Sequence, residues 1–71
     1  MQQETYPYQS KLLAEREARG ESNALLIIIE SRELPISENQ RRQIEECGDL
    51  GRLKTWLKKA VTAPSVADII G

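Results

Sequence analysis

The chain has 71 residues, near the lower limit at which one hydrophobic core holds without help, so a single small domain is expected. Ten lysines and arginines against eleven aspartates and glutamates leave a net charge of −1, without the positive excess of a dedicated nucleic-acid binder. One cysteine and no histidine exclude an internal disulfide scaffold, a structural zinc site and a histidine-assisted nucleophile.

The opening MQQETYPYQS has no basic stretch followed by an apolar run, so no signal peptide is expected. Residues 1–9 are polar and interrupted by Pro7, and they read as a flexible leader before a helical module at 10–71. From Ser10 the composition turns to Leu, Ala, Glu, Arg and Lys, predicting a long helix to Glu33 with its weak point at Gly20 and the triplet Glu21-Ser22-Asn23. On a helical projection Ala14, Ala18, Leu25, Ile28 and Ile29 share one face; Leu13, Ala24 and Ile27 fall on a second, and Leu12 and Leu26 on a third.

The run Ala24–Ile29 is apolar nearly all round, which requires cover on every side, and in so small a domain part of that cover is expected from another chain. It is too short to span a bilayer, and a cytoplasmic, bacterial-type protein without membrane contact is expected. The three isoleucines would also suit a strand, but no second strand-like segment is available to pair with it, and helix is favoured.

Leu34-Pro35-Ile36 ends the first helix, because proline disfavours helical geometry in the residue before it. Residues 37–71 read as a three-helix packing unit. Ser37 and Gln40 form a capping box opening a helix over Glu38–Glu46, with Gln40, Ile44 and Cys47 on one side and Gly48 supplying its closing turn. Asp49 caps a third helix, Leu50 to about Val61. Its apolar side carries Leu50, Leu53, Trp56, Leu57, Ala60 and Val61; Arg52, Lys54, Lys58 and Lys59 cover the other. After Pro64, Ser65 and Asp68 open a last short helix holding Val66, Ile69 and Ile70. The fold class is all-α: a bundle of about four helices with a long first helix, oligomeric in expectation.

Little of this pattern carries chemistry. Cys47, just ahead of a helix N-terminus, has the position of a reactive thiol, but its alignment with Ile44 favours a small packing residue. Glu30, Glu33, Glu45, Glu46 and Asp49 are spaced as a solvated surface, and no glycine-rich phosphate loop occurs. Glu15 to Glu21 alternates charge, as either a solvated helix surface or an oligomerisation stem would. Trp56 is expected in the core rather than as a base-stacking platform. The second and third helices, joined at Cys47-Gly48-Asp49, loosely suggest a helix-turn-helix with Arg52, Lys54, Lys58 and Lys59 as a nucleic-acid face. Nearby Glu45, Glu46 and Asp49, and the scarcity of base-reading side chains, favour a merely solvated basic face.

Several pieces resemble the C-terminal tail of the recombination-promoting nucleases, the transposase-like proteins of the PD-(D/E)XK superfamily. They are Glu17-Ala18-Arg19-Gly20, the apolar Ala24–Glu30, the turn at Leu34-Pro35-Ile36, and Arg42-Gln43-Ile44-Glu45-Glu46-Cys47. Asp49-Leu50, Leu53-Lys54-Thr55-Trp56-Leu57, Ala60-Val61-Thr62-Ala63 and Ser65-Val66 continue the likeness, which covers about residues 12–70. The family's catalytic residues lie in an upstream nuclease domain, and no Asp/Glu-x-Lys triplet occurs in these 71 residues.

The resemblance implies a non-enzymatic module, without cofactor or catalytic centre, akin to the short C-terminal product that binds and restrains the full-length nuclease in the manner of an antitoxin. A chain opening at Met1 and covering this region looks like such a product, and an excised domain would look the same. The expected partners are a second copy, through Leu12, Leu26 and Ile27 of the first helix, and a cognate nuclease involved in DNA recombination; direct nucleic-acid contact is the alternative.

Overall fold

A computed structural model describes residues 7–71, with side chains from Leu13 onward. Four helices follow one another: α1 (Pro7–Ser31), α2 (Glu38–Glu46), α3 (Leu50–Ala60) and α4 (Val66–Ile70). The fold is all-α, as the sequence predicts. The bounds of α2 and the start of α3 fall where the capping signals place them. Ser37 Oγ accepts from the Gln40 N–H at 3.1 Å while Gln40 Oε1 accepts from the Ser37 N–H at 2.9 Å, completing the capping box. Asp49 Oδ1 accepts from the Arg52 N–H at 3.2 Å, and Ser65 Oγ from the Asp68 N–H at 3.3 Å.

Helix α1 differs from expectation at both ends and in its middle. It is already helical at Pro7, so residues 7–9 are not leader; residues 1–6 of that segment lie outside the described residues. It passes unbroken through Gly20–Asn23. Its C-terminus closes as a Schellman motif: Glu33 N–H donates to Glu30 O at 3.0 Å and Leu34 N–H to Ile29 O at 3.1 Å, with Leu34 packed on the core. Glu33 adopts φ 57°, the left-handed conformation usually left to glycine. Gly48, by contrast, has no positive φ; α2 instead ends on an extended Cys47.

The core draws on every helix: Ala18, Leu25 and Ile29 from α1, Ile44 from α2, Leu53, Trp56 and Ala60 from α3, and Val66 and Ile69 from α4, with Ala63 from the last turn. The first helix is therefore part of the intramolecular core, rather than a stem standing apart from a three-helix unit at 37–71. Trp56 is 8% exposed and packs as expected. Val61 is 63% exposed: it keeps helical geometry, but about 20° from Lys54 around α3 it falls outside the arc of Leu53, Trp56 and Ala60 that is buried.

The dominant packing is α1 against α3, followed by α1 with α2, α3 with α4 and α2 with α4. Helices α2 and α3 hardly touch despite their three-residue connection, so they lie diagonally across the bundle. Two polar ties set the direction of the pieces. Ser22, the buried polar residue among those described, shares its single Oγ–H between Ala18 O at 2.9 Å and Ile44 O at 3.0 Å, joining the middle of α1 to the end of α2. Arg32 Nη1 donates to Ala60 O at 2.8 Å and Ala63 O at 2.6 Å, joining the end of α1 to the end of α3. Hence α2 runs back along α1, and α3 runs parallel to α1. The Arg32 guanidinium sits at the negative end of the α3 dipole, on carbonyls that helix termination leaves without partners.

Candidate interaction surfaces

The buried residues Ala18, Ser22, Leu25 and Ile29 occupy an arc of about 60° on α1, since each residue advances about 100° around a helix. Apolar residues also stand on the opposite side. Leu13 is 59% exposed and Ile27 61%, with half-buried Ala24 between them. Side chains of this size left in water on one helix face are the feature of the molecule with the least intramolecular explanation.

Of the three residues expected at an oligomer interface, Ile27 is thus exposed and Leu26 half-buried against the core, and both line one groove. The side chain of Leu12 lies outside the described residues. The groove has a volume of about 550 Å³ and runs between α1 and the segment leading into α2. Leu26, Ile27, Leu34 and Ile36 form its apolar floor, and Glu30 and Arg41 stand at its rim. Ile36 and Leu34 were legible in the sequence only as residues of a helix-breaking turn. Their place beside Ile27 follows from the reversal of the chain between α1 and α2.

The four cations of α3 are all exposed. They do not form a stripe: from Lys54 round to Arg52 they spread over about 160° of the helix surface. Lys54 borders a shallow depression with Glu17 and Glu21 of α1, while Arg52 borders another with Cys47, Asp49, Trp56 and Ile70. Acidic neighbours therefore flank both ends of the set. The helix-turn-helix expectation also lacks its geometry, because a recognition helix is braced by the helix before it, and α2 and α3 scarcely meet.

Cys47 is half-buried, with Sγ 3.8 Å from Asp49 O, at the edge of the depression that Arg52 borders. That depression, of about 750 Å³, brings a thiol, a guanidinium and carboxylates to one rim, but without a base aimed at the sulfur. Among the described residues no group of three His, Cys, Asp or Glu side chains converges as metal ligands would. No helix among them is long and apolar enough to cross a membrane. Neither protein-family models, nor curated proteins, nor solved structures include a match to this chain.

Proposed function

We propose that the chain is a non-catalytic docking module that self-associates and, as its resemblance to the tail of recombination-promoting nucleases implies, binds and restrains a cognate nuclease of that family. The observation that carries the reading is the outward apolar face of α1, where Ile27 and Leu13 remain about 60% exposed beside the Leu26–Ile36 groove. Burying the exposed three-fifths of two such side chains on association contributes about 1–2 kcal/mol each. A 71-residue chain with a small core gains proportionately from that supplement.

Light scattering over a concentration series tests self-association, with Ile27→Glu expected to abolish it. A strict monomer at high concentration, indifferent to Ile27→Glu, overturns that part of the reading. For restraint, adding the chain to the full-length nuclease is expected to suppress DNA cleavage; undiminished cleavage at saturating chain refutes it. The exposed cations of α3 support a second reading, DNA binding through Arg52, Lys54, Lys58 and Lys59. It requires a duplex affinity that falls steeply with salt and collapses in Lys54→Glu/Lys58→Glu.

A further inference from the structure

Gly20 is the residue of α1 that the monomer does not explain. Glycine within a helix costs about 1 kcal/mol relative to alanine. A Cβ built at Gly20 meets no atom within 4 Å, and its φ is not positive, so neither crowding nor backbone conformation inside this chain calls for glycine. Its position on the helix is informative. Leu13, Gly20, Ala24, Ile27 and Ser31 fall within an arc of about 60°, centred about 160° from the buried arc. The smallest residues thus lie midway along an outward apolar face that spans about 27 Å from Leu13 to Ser31. A second helix can approach such a face most closely at its centre.

We infer that this face is occupied by the α1 of a second copy, antiparallel, with Gly20 packed against the partner's Ala24. The inference rests on the self-association proposed above and specifies its register. Spacings of three and four residues along the face place it in a heptad pattern, with Leu13, Gly20 and Ile27 at one seam position and Glu17, Ala24 and Ser31 at the other. Antiparallel pairing about Gly20 and Ala24 sets Leu13 against the partner's Ser31, and Ile27 against the aliphatic stem of the partner's Glu17.

Charge selects this orientation. Arg16, Asn23 and Glu30 form one flank of the seam, and all three are exposed. In the antiparallel register like flanks meet. Arg16 faces the partner's Glu30, Glu30 the partner's Arg16, and Asn23 its own counterpart, giving two symmetric ion pairs around a polar centre. A parallel in-register pair would give Arg16 the partner's Glu21 but offer Glu30 no cation of the partner, only Arg41 of its own groove rim. The one like-charged apposition in the antiparallel register, Glu21 against its copy, has Lys54 of α3 beside it in each subunit. The twofold relation closes the assembly at a dimer.

The test uses the full chain and its self-association constant, measured by sedimentation. At low protein concentration Gly20→Leu is expected to keep the helicity of the parent and raise its thermal midpoint by a few degrees, since the site is open and leucine is the better helix former, and to weaken dimerisation at least tenfold by filling the point of closest approach. Arg16→Glu turns two attractions into two repulsions and is expected to weaken the dimer roughly tenfold; Arg16→Glu/Glu30→Arg restores it. With Cys47→Ser as background, a mixture of Leu13→Cys and Ser31→Cys chains is expected to form mixed disulfides in preference to either homodisulfide.

A dimer that tolerates Gly20→Leu, is not rescued by the charge exchange, or links Leu13→Cys to itself overturns the register while leaving self-association standing. A chain that stays monomeric overturns both. If it is monomeric and the full-length nuclease binds the parent but not Gly20→Leu, the face belongs to that partner, and the second-copy assignment falls.

Discussion

Replacing Ser22 with alanine separates what a helix wants locally from what this bundle needs. Alanine is the better helix former by about 0.5 kcal/mol, so on propensity alone Ser22→Ala stabilises. Against this, the Ser22 hydroxyl reaches Ile44 O at 3.0 Å from a position 2% exposed. Taking the donor away from a buried carbonyl costs about 2 kcal/mol in all. Ile44 O keeps only the Cys47 N–H, at 3.3 Å, so the loss is not made good. The net expectation is a destabilisation of about 1.5 kcal/mol, or a thermal midpoint lower by roughly 8 °C in a domain this small.

Gly20→Ala, two residues earlier on the same helix, is expected to move the midpoint up by about 6 °C, because the added methyl meets open space. Thermal unfolding followed by circular dichroism, at matched low protein concentration so that association does not shift the midpoint, compares the two directly. A Ser22→Ala protein as stable as the parent, or more so, refutes the view that this hydroxyl ties α1 to α2.

Glu33→Gly relieves a left-handed residue at the end of α1 and is expected to add about 1 kcal/mol, read as a higher urea midpoint with unchanged slope. Arg32→Met retains the aliphatic stem but removes the donor to Ala60 O and Ala63 O; a loss of about 1.5 kcal/mol in the same titration is expected, and no change would show those carbonyls to be served by water. Leu25→Ala empties a fully buried site and should cost about 2–5 kcal/mol, much of the roughly 4–10 kcal/mol available to a domain of this length, so partial unfolding at 37 °C is expected by circular dichroism.

Ser37 with Gln40, Asp49 with the Arg52 N–H, and Ser65 with the Asp68 N–H each act over three residues, so each helix start was readable from the chain itself. The spacing of Leu53, Trp56 and Ala60 likewise placed the core face of α3, because one helical period suffices to define it. Leu26 and Ile27 were legible as apolar excess but not as the wall of a groove, which exists only once Leu34 and Ile36 fold back beside them.

Sequence alone therefore determined the helices, their caps and most of the residues they bury, because those depend on neighbours within a turn or two. Tertiary structure decided what depends on residues twenty to thirty positions apart. Ser22 becomes a tie to α2 rather than a weak point in α1; Arg32 binds the end of α3; α3 lies along α1 while α2 crosses to the far side. Above all, packing chose which side of an all-round apolar helix went inward, and so left Leu13 and Ile27 facing out.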